Sequence, residues 1–170
     1  MNIIDELRVS DYSDVEKIKD EYFSIFQTMK TPSAFTINIH PTVKVLNSDK
    51  RNIKKRVGLE DIDSLWSTLS SEFRKMNYLS SQRNKLQTAV LAFANVDIGA
   101  DMGQLHLHGL VNNIHNLPAA PFHYLIRTAL KETDAKHRII SGTPDIQRNA
   151  SVGWVGYVFK NSYLHQLMTK

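Results

Sequence analysis

Residues 87–111 place the strongest constraint on the fold. Gln87 to Asp97 (QTAVLAFANVD) is rich in strand formers, and Gln104 to Val111 (QLHLHGLV) follows after the turn-prone Gly99-Ala100-Asp101-Met102-Gly103. This pattern predicts a long β-hairpin. Side chains alternate across a strand, so His106 and His108 leave the same face, about 6–7 Å apart at Cα. Leu105, Leu107 and Gly109 then point the other way, into the core. Two imidazoles at that spacing form a workable bite for one metal ion; a buried pair satisfied by hydrogen bonds is the alternative. If the turn centres near Asp101, Asp97 lies across the hairpin from His106, with Asn95 one pleat back on the same face. Asp97 is the preferred third ligand, and Asn95 and His40 are the alternatives. Two imidazoles plus one carboxylate or amide, with open positions, suit Mn²⁺ or Mg²⁺ beside a phosphate oxygen.

The rest of the chain frames this hairpin. Ser13 and Glu16 have capping-box spacing, and Val15, Ile18, Tyr22, Ile25, Phe26 and Met29 line one side of a helix running to about Met29. Phe35-Thr36-Ile37-Asn38-Ile39-His40 alternates until Pro41, as a strand with Phe35, Ile37 and Ile39 on one face. Residues 42–58 are polar and basic. Ile62, Leu65, Trp66, Leu69, Phe73 and Met76 mark an amphipathic helix. A further helix is expected at about 121–132, short strands near 137–141 and 144–148 separated by Gly142, and a closing helix from about Ser151 to Met168. No repeat or linker divides the 170 residues, so they read as one α+β domain with a largely antiparallel sheet.

Composition narrows the chemistry. With no cysteine, disulfides and thiolate metal sites are excluded. No apolar run approaches the roughly 20 residues that span a bilayer, and the N-terminus lacks a signal-peptide pattern, which points to a cytoplasmic protein without membrane attachment. A net charge of +4 leans toward a polyanionic partner. Five of the seven positions from Lys50 to Arg56 are basic (Lys50, Arg51, Lys54, Lys55 and Arg56) and could grip phosphates; a solvated loop is the alternative.

Near the C-terminus, Tyr157 and Lys160 are one helical turn apart and emerge side by side on the expected helix. A tyrosine hydroxyl has a pKa near 10 and is a poor nucleophile at neutral pH. It can attack a phosphodiester when a metal polarises the phosphate and a cation such as Lys160 neutralises charge.

Taken in order, Phe35-Thr36-Ile37-Asn38, His106-Leu107-His108-Gly109 and Tyr157-Val158-Phe159-Lys160 resemble the three motifs of rolling-circle replication initiators of plasmid or phage type, within the HUH endonuclease superfamily. The resemblance implies a central antiparallel sheet of about five strands with flanking helices. It implies nicking and joining of single-stranded or hairpin origin DNA by Tyr157 through a 5′-phosphotyrosine link, with a free 3′-OH to prime synthesis. His106 and His108 become metal ligands and Lys160 the auxiliary cation, and Thr36 and Asn38 support the site or touch DNA beside it. The chain has no Gly-rich phosphate loop, so host helicase and polymerase are implied partners. It departs from the family in having no Glu between Glu72 and Glu132 to act as third ligand, a long gap between the first two motifs, and one tyrosine at the third. Tyr163 falls nearly opposite on the expected helix, which disfavours a two-tyrosine mechanism. A single-tyrosine transposase of the same superfamily and a non-catalytic nucleic-acid-binding module are the competing readings.

Overall fold

A computed structural model of the chain describes residues 12–79, 92–98, 105–113, 116–158 and 166–168. The elements run α1 (Tyr12–Thr28), β1 (Ser33–Ile39), β2 (Thr42–Leu46), β3 (Asn52–Arg56), α2 (Leu59–Leu79), β4 (Ala92–Ile98), β5 (Leu105–Val111), α3 (Ala119–His137), β6 (Ile140–Gln147), α4 (Val152–Val158) and β7 (Gln166–Met168). The domain is α+β, and every strand pairing in it is antiparallel. The main sheet has the order β6-β1-β5-β4-β7, and β2 and β3 form a separate two-stranded ribbon.

Strand alternation sorts β1 and β5 into two faces. Phe35, Ile37 and Ile39 of β1 and Leu105, Leu107 and Val111 of β5 are buried in one cluster with Ile62, Leu65, Leu69 and Phe73 of α2 and Ile126 and Leu130 of α3. Helices α2 and α3 thus cover one face of the sheet. On the opposite face Ala34 and Leu110 pack with Tyr22 of α1 and Trp154 and Val155 of α4. That smaller cluster covers only one end, and the polar positions further along β1 and β5 line an open pocket.

The hairpin expected from residues 87–111 is present as β4 and β5, with Ile98 opposite Leu105; residues 87–91 and 99–104 lie outside the described residues. Four expectations need correction. The polar, basic segment 42–58, read without any element, holds the hairpin of β2 and β3, because Thr42-Val43-Lys44-Val45-Leu46 alternates and Asn47 closes the turn. Helix α3 runs on to His137, where Arg138 takes the left-handed conformation and donates its backbone N–H to the carbonyl of Asp134.

The two short strands expected around Gly142 are one strand, β6. It tolerates Pro144 because it lies at the sheet edge. Gly142, at φ +71°, lies where three residues of β6, Gly142 to Pro144, stand opposite the single residue Ile37 of β1. Finally, the closing helix expected to reach Met168 is described over Val152–Val158, and residues 166–168 are a strand paired with β4. Gly153 and Gly156 each cost helix about 1 kcal/mol relative to alanine, while Gln166 to Met168 gain backbone pairing by covering the edge of β4.

Candidate metal and nucleophile site

Cross-strand register assembles the site on the face away from α2 and α3. One row across the sheet reads Asp145, Thr36, His108 and Asn95, and the next reads Ser141, Asn38, His106 and Asp97. Gln166 of β7 extends the first row beyond Asn95. The hairpin register therefore places Asp97 opposite His106 and Asn95 opposite His108, as the turn position implied. Both are located by their backbones, and their side chains lie outside the description.

The two imidazole rings have centroids 6.0 Å apart and planes inclined by 56°. His108 is 2% exposed. Its Nδ1 lies 2.9 Å from Thr36 Oγ1, so ligation of a metal by this ring falls to Nε2. When the Nδ1–H donates to the threonine hydroxyl, Nε2 carries the lone pair a metal requires. Thr36 owes its place to strand register, since it is the direct partner of His108 between β1 and β5.

Helix α4 brings the tyrosine to the same imidazole. The Tyr157 ring stands edge-on to His108 with centroids 5.6 Å apart, and Trp154, one turn earlier, stands edge-on to it at 6.2 Å. Trp154 is buried with Val155, Tyr22 and Leu110, which seats the helix, whereas Tyr157 is half-exposed at 49%. An open pocket of about 500 Å³ is lined by Thr36, Asn38, His106, His108, Trp154 and Tyr157, together with Asp145, Gln147, Ser151 and Gly153. Residues from all three sequence motifs therefore meet in one cavity, although they are spread over more than a hundred positions of the chain.

Other expected residues fall elsewhere. Lys160 and Tyr163 lie outside the described residues. His40 is exposed and does not line the pocket. Lys50, Arg51, Lys54, Lys55 and Arg56 are exposed on the β2–β3 ribbon, and Lys55 is paired with Asp61 at 3.1 Å. Among the remaining histidines, His137 bonds Thr68 through Nε2 at 2.8 Å, while His115 and His165 lie outside the described residues. Asp145 was missed by sequence reasoning. Its alternation with Ile146 shows that it faces away from the core, but nothing local shows that β6 pairs with β1 beside Thr36.

A divalent ion would find two imidazole donors here, one of them braced by a hydroxyl, which matches nitrogen ligation with a fixed ring orientation. Among the described residues no group of three or more His, Asp or Glu side chains converges as a metal site. Also among the described residues, no helix is long and apolar enough to cross a membrane. Comparisons with protein-family models, with curated proteins and with solved structures find no match for this chain.

Proposed function

We propose that the chain is a metal-dependent, site-specific DNA nickase and strand transferase of the rolling-circle initiator type, with the sheet and helices of an HUH nuclease domain. The observation that carries this reading is the Tyr157 ring lying 5.6 Å from His108, in a pocket that also holds His106, Thr36 and Asn38. A bare His pair or an isolated tyrosine would have many explanations. A half-exposed phenol beside an imidazole pair, one ring of which is braced by a hydroxyl, has the parts needed for phosphodiester attack.

Mn²⁺ or Mg²⁺ would be held by His106 and His108, with Asp97 as the preferred third ligand, and would supply charge neutralisation at the scissile phosphate. The Tyr157 oxygen attacks phosphorus as its proton passes to solvent, forming a phosphotyrosine bond. The bond from phosphorus to the 3′ oxygen breaks, and that oxygen leaves as a 3′-hydroxyl after taking up a proton. Attack of a 3′-hydroxyl on the phosphotyrosine reverses the step and rejoins a strand. Lys160, three residues after Tyr157 in the sequence, is the proposed cation for the developing charge. Thr36 braces His108 from β1, and Trp154 fixes the helix that carries the nucleophile. Single-stranded or hairpin origin DNA is the proposed substrate, with host helicase and polymerase acting after the nick.

The test is incubation with a pool of single-stranded and hairpin oligonucleotides and Mn²⁺, followed by denaturing electrophoresis. A covalent protein–DNA adduct is expected. It should be abolished by Tyr157→Phe and by EDTA, and reduced at least a hundredfold by His106→Ala or His108→Ala. An adduct that survives Tyr157→Phe would refute the choice of nucleophile. Intact DNA across the pool, with binding retained, would favour a non-catalytic binding module.

A further inference from the structure

The β2–β3 ribbon has two unlike faces. Partners in an antiparallel pair share a face, so Val43 with Lys55 and Val45 with Ile53 form one side. Thr42 with Arg56, Lys44 with Lys54, and Leu46 with Asn52 form the other. The first side is partly covered by the domain: Val43 packs against the main core and Lys55 reaches Asp61 of α2, while Ile53 stays 46% exposed. Every residue of the second side is exposed, Leu46 to 67%. Among the described residues, Lys44, Lys54 and Arg56 have no carboxylate within ion-pair distance.

The ribbon is also stiff at both ends. At its tip the Asn47 side-chain oxygen accepts the backbone N–H groups of Asp49 and Arg51, at 3.1 and 2.8 Å, and Lys50 holds a positive φ of 58°. At its base Val57 N–H donates to the Pro41 carbonyl at 3.1 Å. It is therefore a preformed rod, basic on one side, and not a strand pair that must order on binding.

We infer that this ribbon is a duplex-DNA grip, entering the major groove with its Lys44, Lys54 and Arg56 face toward the phosphates. The major groove of B-form DNA, about 12 Å wide, admits a two-stranded β-ribbon. The position suits a substrate with a duplex stem next to a single-stranded loop. Asn38 lines the site pocket, and Thr42, which opens the ribbon, is four residues further on, at most about 14 Å along the chain. The stem would lie on the ribbon while the single strand enters the pocket. The inference rests on the nickase reading only for DNA as the substrate, and it concerns binding rather than cleavage.

The test uses the full chain carrying Tyr157→Phe in EDTA, so nothing is cut. Fluorescence anisotropy is read on a DNA hairpin, on a single strand of equal length and on an RNA hairpin of the same sequence. The triple variant Lys44→Ala/Lys54→Ala/Arg56→Ala is compared with Arg74→Ala/Arg127→Ala/Lys131→Ala, which removes the same charge from exposed positions of α2 and α3. The ribbon triple should bind the DNA hairpin at least tenfold more weakly. It should also flatten the log–log salt dependence by about three, roughly 0.9 per lost phosphate contact. The control triple and single-strand binding should change little. The RNA hairpin should bind more weakly than the DNA hairpin, because its major groove is too narrow and deep to be entered. Equal loss in the control triple, equal loss on single strand, or equal affinity for the RNA hairpin would each overturn the inference. Because no metal or nucleophile is involved, these outcomes are separable from the presence or absence of the covalent adduct.

Discussion

Thr36 and His108 show how much of the site rests on one hydroxyl. They are direct partners across β1 and β5, and their 2.9 Å contact occupies Nδ1 of a ring that is otherwise enclosed by Trp154 and Tyr157. An imidazole without such a partner can rotate or exchange tautomers, and either change removes the lone pair from the ligating position. Thr36→Val keeps the shape and removes the hydrogen bond, whereas Thr36→Ser keeps the hydroxyl. The valine variant should bind Mn²⁺ about 10–100-fold more weakly in calorimetric titration, the usual scale for losing a ligand's hydrogen-bond partner. The serine variant should recover most of the affinity. Equal affinity in all three proteins would show that Thr36 only fills space.

At the scale of elements, a glycine explains how the two strands that carry Thr36 and His108 can lie together. Gly109 is the β5 partner of Phe35, and a Cβ placed on it would come within 2.0 Å of the Phe35 Cζ atom. The ring therefore lies across the glycine on the core face, where it also meets Phe73 of α2 with centroids 5.9 Å apart. Gly109→Ala should cost about 1–3 kcal/mol in urea unfolding, the usual cost of overpacking a core. Phe35→Leu alone should cost about 1–2 kcal/mol through the volume it vacates. Combined, they should cost clearly less than their sum, since the leucine makes room for the methyl group. Strict additivity would show that the contact carries no strain.

The same elements show what the sequence could reveal. The alternation of Phe35, Ile37 and Ile39 and of Leu105 and Leu107 was readable, and with it the shared face of the two histidines, because strand period is a local property. The place of Asp145 beside Thr36 was not readable, since sheet order is set by long-range pairing. The strand at 166–168 was hidden for another reason: Trp154 and Val155 fit a helical pattern, and the strand further on gains its stability from the edge of β4.

The molecule as a whole is asymmetric across its sheet. Helices α2 and α3 back one face with the larger core, and the opposite face is left partly open for the site. Precise placement of the pocket residues therefore depends on the two backing helices staying together. Besides apolar contacts, Glu72 of α2 joins them. Its Oε1 accepts from Lys75 on its own helix at 2.8 Å and from Lys136 of α3 at 3.0 Å. The hydrogen bond from Lys75 is the largest influence holding the Glu72 carboxyl below its ordinary value. Partial desolvation opposes it, and Lys136 lowers it further. A carboxyl whose pKa is depressed in the folded state stabilises the fold fully above its unfolded value, about 4.3. That contribution disappears as pH falls through the lower folded value. Glu72→Gln should therefore lower stability at pH 7 by about 1 kcal/mol, a modest figure because both lysines are solvent-exposed and screened. The gap between the parent and the glutamine variant should hold from pH 7 to about pH 5 and close as the parent's carboxyl is protonated below about pH 4. Lys136→Met should reproduce part of the gap at neutral pH with the same acid closure. Paired thermal melts from pH 7 to pH 3 provide the measurement. A gap of unchanged size at pH 3 would mean that Glu72 acts by packing, and that charge does not hold the backing helices together.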